Sequence, residues 1–110
     1  HTGMAITMDI GDPKQGHPTN KTEFASRLSR VVLHGVYQKD IALWSGPLFK
    51  SAEIAADHIT LTFDQATGLK ARSGTLEGFA IAGDDKKFVW ADAKIEGDKV
   101  IVSSTEIKAP

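Results

Sequence analysis

Apolar and polar positions alternate at the start of the chain and then give way to a loop. Between residues 4 and 10 the apolar side chains stand at every second position, which is the period of a β-strand. The residues from Gly11 to Pro18 are rich in Gly and Pro, which disfavour regular structure. We therefore predict one strand, followed by a loop that leaves its carboxyl end.

A helical pattern follows this loop. Asn20 can cap a helix through its side-chain oxygen, and Glu23 stands three residues later, as in a capping box. Beyond them, apolar residues recur at helical spacing with basic residues between them, at Phe24, Leu28, Val31, Val32 and Val36. The pattern predicts an amphipathic helix of about four to five turns that ends between Gly35 and Tyr37.

From residue 45 onward, alternation returns in short runs that predict antiparallel β-strands. The runs lie at residues 59–63, 79–81, 88–90, 93–96 and 99–102. Gly97 and Asp98 separate the last two runs, and a two-residue loop with Gly first is typical of a tight hairpin. The loop from Gly83 to Lys86 predicts a second hairpin.

These patterns set the fold class and the organisation of the chain. Residues 1–44 are predicted as strand, loop and helix, and residues 45–110 as an antiparallel β region. Because helix and antiparallel strands are segregated along the chain, the predicted class is α+β.

Composition narrows the classes of function. The 110 residues are 41% apolar and 25% charged, as is usual for a folded domain. Thirteen Lys and Arg against fourteen Asp and Glu give a net charge of −1, so neither nucleic acid nor a membrane surface is an expected partner. No apolar run approaches the roughly 18 residues of a membrane span. Without cysteine, disulfides, thiolate metal sites and cysteine nucleophiles are excluded.

The loop between the predicted strand and helix holds the candidate catalytic residues, Asp12 and His17. Loops at the carboxyl ends of strands carry the active sites of open α/β sheets. A histidine oriented by a carboxylate can remove the proton of a serine hydroxyl in acyl transfer. From spacing alone, the simpler interpretation is favoured: Asp12 forms an Asx turn and His17 is an exposed loop residue.

Other candidate residues have simple interpretations as well. His34 on the predicted helix and His58 beside Asp57 are interpreted as packing or surface residues, because no second histidine stands at metal-ligand spacing. No metal and no other cofactor is predicted. Trp44 and Trp90 could stack on a sugar ring or pack in the core. Trp90 is predicted to be a core residue because its strand alternates, whereas for Trp44 both interpretations stay open.

Several blocks of residues follow one another in a characteristic order. They are Gly3–Asp12, His17-Pro18-x-Asn20-Lys21, Ser45–Ser51, Gly78–Gly83, Phe88–Gly97 and Val102–Ser104. In sequence and order these blocks resemble the C-terminal part of the sialate O-acetylesterase family. The resemblance covers nearly the whole chain.

The resemblance implies a fold and a chemistry. Residues 1–44 would be the final strand, loop and helix of an SGNH α/β hydrolase domain, and residues 45–110 part of a β-sandwich. The family's enzymes are metal-free serine esterases that remove O-acetyl groups from sugars, either sialic acids or polysaccharides. A histidine near the end of their catalytic domain is the base, and His17 matches it. The serine and the oxyanion donors would come from the N-terminal part of the same polypeptide.

The acid partner of His17 is left open. SGNH enzymes commonly place the acid three residues before the histidine, and the sialate O-acetylesterase family often places it two residues before. At these positions the chain has Lys14 and Gln15, neither of which is an acid. Asp12 is the nearest upstream carboxylate, and Asp9 lies further back. The alternatives are a carboxylate elsewhere in the polypeptide or a backbone carbonyl.

The predicted function is thus that of the C-terminal segment of a carbohydrate O-acetylesterase, inactive on its own. The rival interpretation is a non-catalytic, β-rich carbohydrate-binding or structural accessory domain. We expect a segment or processed product of a longer polypeptide, because Met4 is the first methionine and lies within a predicted strand. A third alternative is a proteolysis product that stays associated with its missing part. The resemblance implies a secreted or periplasmic location.

Overall fold

The computed structural model describes residues 2–17 and 19–110, so His1 and Pro18, the last residue of the predicted loop, lie outside the described part. Its regular elements are a 3-10 turn at Met8–Ile10, helix α1 (Lys21–Gly35) and strands β1 (Leu48–Ile54), β2 (His58–Asp64), β3 (Ala80–Ile81), β4 (Val89–Trp90), β5 (Asp92–Glu96) and β6 (Lys99–Ser103). One helix with antiparallel sheets confirms the predicted α+β class. None of the described helices is long and apolar enough to cross a membrane.

The chain forms two compact units, His1–Gly46 and Pro47–Pro110. The first unit contains α1, and the second contains all six strands. The assignment of residues 1–44 to an esterase domain and of residues 45–110 to a β-sandwich stays a prediction.

The prediction of a strand from residue 4 to residue 10 is wrong. The segment ends in a single 3-10 turn, in which the Ile10 amide donates to the Thr7 carbonyl at 3.1 Å. A strand is held by hydrogen bonds to a neighbouring strand. The described residues of the first unit contain no strand with which this segment could pair. The alternating side chains therefore do not line a sheet: Ile10 is buried, whereas Met4 and Met8 are exposed.

Helix α1 begins and ends as the sequence predicts. Asn20 Oδ1 accepts a hydrogen bond from the Glu23 amide at 3.0 Å, which satisfies one of the free donors of the first turn. At the other end the helix stops at Gly35, and the Val36 amide donates to the Val32 carbonyl at 2.9 Å. The predicted capped helix is confirmed.

Only one edge of the apolar face of α1 is buried. Val31 is 7% exposed and lies over Gly3, where a Cβ atom would overlap the valine Cγ1. Phe24, Leu28 and Val32 follow one another at i, i+4 spacing, and each is more than a third exposed. We call these three residues the apolar stripe of α1.

The second unit is built on a four-stranded antiparallel sheet with the order β1-β2-β6-β5. Ile59 pairs with Val102, and Leu61 pairs with Val100, so these apolar side chains share one face of the sheet. Ile81 of β3 packs against that face and is 2% exposed, which makes it the centre of the core.

Two hairpins confirm the sequence predictions. In the first, Glu96 of β5 pairs with Lys99 of β6, and Gly97 between them has a φ of 65°, which glycine adopts without steric cost. In the second, β3 pairs with β4, and the Lys86 amide donates to the Gly83 carbonyl at 2.9 Å in the connecting loop.

Trp90 is not a core residue, so that prediction is wrong. Strands β3 and β4 pair Ile81 with Val89 and Ala80 with Trp90. Because Ile81 and Val89 belong to the core, the alternation places Trp90 on the outer side, where it is 79% exposed. Phe88 stands two residues earlier and is 73% exposed. We call Phe88 and Trp90 the outer aromatic pair.

Candidate functional site

The predicted catalytic loop folds around Asp12. Asp12 Oδ1 accepts a hydrogen bond from the Lys14 amide at 2.9 Å, and the Asp12 carbonyl accepts one from the Gln15 amide at 3.1 Å. This is the Asx turn that the simpler interpretation of the sequence predicts. The carboxylate of Asp12 therefore organises the backbone of its own loop.

His17 is exposed at the other end of this loop. Across residues 2–17 and 19–110 its ring has no hydrogen bond and no ion pair, so it is not bound to Asp12. The structure does not bring the two candidate catalytic residues together, and their catalytic roles stay predictions. An exposed imidazole is nonetheless accessible to a group from another segment or molecule.

Arg27 makes a dense set of polar contacts beside the loop. Its Nη1 and Nη2 donate to Asp9 Oδ1 and Oδ2 at 2.6 and 2.8 Å, a bidentate pair. Nη1 also donates to the Ile6 carbonyl at 2.7 Å, and Nη2 to Glu23 Oε1 at 2.5 Å. Asp9, the carboxylate upstream of Asp12, is therefore bound to an arginine.

The carboxylates around Arg27 stabilise its positive charge. Hydrogen bonds to Asp9, which have the largest effect, and to Glu23 raise the pKa of Arg27 above its ordinary value. The guanidinium is accordingly charged at neutral pH. A shallow, open cleft along this side of α1 is lined by Asn20, Thr22, Glu23, Ser26, Arg27 and Arg30.

The sequence patterns do not single out Arg27. Its ion pair with Glu23 has the i, i+4 spacing that stabilises helices, and that spacing is a signal the sequence offers. Its pair with Asp9 spans 18 positions and exists because the segment before the loop folds back along α1. A contact of that kind has no signature in the local pattern.

The other candidate side chains have partners within their own units. The ring of Trp44, which the sequence left open, stacks on the ring of His34 with centroids 4.6 Å apart. His58 is the first residue of β2, and its Nδ1 lies 2.7 Å from Asp57 Oδ1. In the part of the chain that the structure describes, no group of three or more His, Asp or Glu is arranged to hold a metal ion.

A comparison with solved structures finds a similar arrangement. A chain described as a novel carbohydrate acetylesterase from Xanthomonas citri matches with a TM-score of 0.86 and 41% sequence identity over 96% of this chain. The chain is similar to a segment of that acetylesterase. It spans 25% of the length of the Xanthomonas protein. No family model and no curated protein matches the chain.

This similarity confirms the coarser part of the predicted resemblance, namely similarity to a carbohydrate acetylesterase. The finer parts stay predictions: the sialate family, the SGNH domain, the sugar, the catalytic residues and the location outside the cytoplasm.

Proposed function

We propose that this chain is the C-terminal segment of a serine esterase that removes O-acetyl groups from sugars. The observation that supports the proposal is the 41% identity to a carbohydrate acetylesterase over 96% of the chain. Because the chain matches 25% of that protein, another part of the same polypeptide would supply the serine and the oxyanion donors; the resemblance described above implies that this is the N-terminal part.

In this proposal His17 is the general base. Its neutral imidazole takes the proton of the serine hydroxyl while the serine oxygen attacks the acetyl carbonyl, and it then gives that proton to the departing sugar oxygen. A water molecule repeats the step on the acetyl-enzyme, releasing acetate and restoring the serine. The exposure of His17 supports this role, since its ring is accessible to a hydroxyl from outside its own unit.

Asp12 is the nearest carboxylate that could orient His17. Its Oδ1 accepts the Lys14 amide, so the imidazole would have to reach Oδ2 while the turn stays intact. Asp9 is the weaker alternative, because both of its carboxylate oxygens accept hydrogen bonds from Arg27. The triad acid could also come from another part of the polypeptide.

The apolar stripe of α1 supports the existence of a larger assembly. Phe24, Leu28 and Val32 are each more than a third exposed, although they form one continuous row on the helix. In α/β domains such a row packs against a sheet. We propose that the N-terminal part of the polypeptide covers this stripe and thereby brings its serine to His17.

The test is a chimera in which this chain replaces the matching quarter of the Xanthomonas citri acetylesterase. We expect the chimera to release acetate from an acetylated oligosaccharide, and His17→Ala to lower kcat at least about a thousandfold. His58→Ala, which removes a histidine of the second unit, is the matched control and should leave kcat unchanged. A folded chimera that is inactive, or one that stays active with His17→Ala, would contradict the proposal. Acetylated sialic acid and acetylated plant oligosaccharides, offered side by side, identify the sugar.

The outer aromatic pair favours a second candidate function, a β-rich carbohydrate-binding module. Trp90 in β4 and Phe88 just before that strand are 79% and 73% exposed, and exposed apolar patches mark interaction sites. The flat CH face of a sugar ring is a suitable ligand. Titration of the chain with acetylated and deacetylated oligosaccharides, followed by tryptophan fluorescence, tests this function. Binding that Trp90→Ala abolishes would support it, and absence of binding would contradict it.

A further inference from the structure

We propose that Arg27 is a positioning residue that holds the two ends of the loop bearing Asp12 and His17 at a fixed separation. The inference rests on the proposed function, because it concerns how the general base of that reaction is held. It is based on a set of contacts to which neither the sequence patterns nor the similarity to the acetylesterase assigns a role.

The same guanidinium binds the segments on both sides of the loop. Before the loop, Asp9 accepts hydrogen bonds from Arg27 at 2.6 and 2.8 Å, and the Ile6 carbonyl accepts one at 2.7 Å. After the loop, Glu23 accepts one at 2.5 Å, and the Glu23 amide donates to Asn20 Oδ1 at 3.0 Å. A continuous path of hydrogen bonds thus runs from Asp9, through Arg27 and Glu23, to Asn20 at the start of α1. We call it the Arg27 network.

His17 depends on this network more than Asp12 does. Asp12 is held inside the loop by its own turn, through the Lys14 amide. His17 has no hydrogen bond within residues 2–17 and 19–110, so its position follows from where the ends of the loop are anchored. Removal of the guanidinium would remove three of the hydrogen bonds that hold the end at Ile6 and Asp9, and the imidazole would then spend less time in the geometry needed for proton transfer.

The contacts require the shape of arginine as well as its charge. A planar guanidinium can bind both oxygens of Asp9 and still reach Glu23 and the Ile6 carbonyl, whereas an ammonium group is a single point of charge. Arg27→Lys therefore keeps the charge and loses the geometry. Arg30 lies on the next turn and lines the same cleft, so Arg30→Ala is a matched control for the loss of one positive charge.

The first experiment observes the loop in the 110-residue chain, by amide hydrogen exchange and 15N relaxation of residues 11–17. We expect Arg27→Ala and Arg27→Lys to speed amide exchange in the loop about tenfold, and Arg30→Ala to leave it unchanged. Circular dichroism checks that α1 persists; if Arg27→Ala does not fold, Arg27→Lys and Asp9→Asn carry the test. Loop exchange in Arg27→Lys equal to that in the unmodified chain would overturn the inference.

The second experiment measures kinetics in the chimera with the Xanthomonas acetylesterase. We expect Arg27→Ala to lower kcat about 10- to 100-fold with little change in KM, because a displaced base impairs the reaction step more than substrate binding. Guanidinium ion, added well below denaturing concentrations, should restore part of the activity of Arg27→Ala and none of the activity of His17→Ala.

The outcomes separate this inference from the proposed function. A loss of kcat in Arg27→Ala no larger than in Arg30→Ala, or a loss that guanidinium does not restore, would overturn the positioning role while leaving the His17-dependent activity intact. Activity that does not depend on His17 would overturn the proposed function, whatever the loop exchange shows.

Discussion

The imidazole of His34 lies flat against the indole of Trp44, with ring centroids 4.6 Å apart and ring planes inclined by 7°. His34 belongs to the last turn of α1, whereas Trp44 stands in the irregular segment after the helix. The stack therefore ties that segment to the helix. Contacts between stacked rings contribute about 0.5–1.5 kcal/mol beyond the area they bury.

We expect His34→Ala to lower the free energy of unfolding of the first unit by about 1 kcal/mol and to shift Trp44 emission to longer wavelength as the indole gains water. Urea unfolding followed by fluorescence measures both effects. Trp90→Phe should be present throughout, so that Trp44 is the remaining one of the two tryptophans. His58→Ala is the control in the second unit. Unchanged Trp44 emission in His34→Ala would contradict the stack.

Two neighbouring strand positions in the second unit should differ sharply in their response to truncation. Ile81 is 2% exposed and Trp90 is 79% exposed, although the two residues lie in paired strands. We expect Ile81→Ala to cost about 2–5 kcal/mol of unfolding free energy, through a lost core side chain and a cavity. Trp90→Ala should change it by less than about 0.5 kcal/mol. Denaturant midpoints of the two variants measure the difference, and a large loss in Trp90→Ala would show that this ring is packed.

Much of the fold follows from local pattern. The cap at Asn20, the end of α1 near Gly35 and the turn at Gly97 each depend on residues a few positions apart, so the sequence alone predicts them. The side of Trp90 is also present in the pattern. Alternation predicts that one face of the strand is buried but does not by itself say which; the polar Asp92 shares the parity of Trp90 and is exposed, whereas Ala93 packs against the core.

Other features depend on contacts that are distant in sequence. The alternation at residues 4–10 has the period of a strand, yet a strand needs a neighbour to pair with, and the described residues of the first unit have none. The ion pair of Asp9 with Arg27 joins positions 18 apart. For the candidate site, the loop and the Asx turn of Asp12 are predicted by local pattern, but the Arg27 network beside them is not.

Substitution by alanine at two glycines with open space around them should change the free energy of unfolding in opposite directions. A Cβ atom at Gly97 or at Gly35 would meet no atom within 4 Å, but Gly97 has a φ of 65°. We expect Gly97→Ala to lower the free energy of unfolding of the second unit by about 1 kcal/mol, because L residues are strained at positive φ. Gly35→Ala at the end of α1 should raise that of the first unit by up to about 1 kcal/mol. Thermal or urea unfolding compares the two, and equal effects would contradict the conformational explanation.

The apolar stripe of α1 predicts a difference between the free chain and the chimera with the Xanthomonas acetylesterase. In the free chain, Val31→Ala should cost about 2 kcal/mol because Val31 is 7% exposed, whereas Leu28→Ala, at a position 39% exposed, should cost less than about 1 kcal/mol.

A charged substitution at Leu28 should be much more damaging in the chimera than in the free chain. Leu28→Asp would place a carboxylate between α1 and the sheet that we propose to cover it, at a cost of several kcal/mol. We expect Leu28→Asp to leave the helix content of the free chain nearly unchanged and to abolish folding or activity of the chimera. Ser29→Asp, one position away and outside the stripe, is the matched control. A chimera that tolerates Leu28→Asp as well as Ser29→Asp would show that nothing covers the stripe, and the serine would then have to approach His17 from another side.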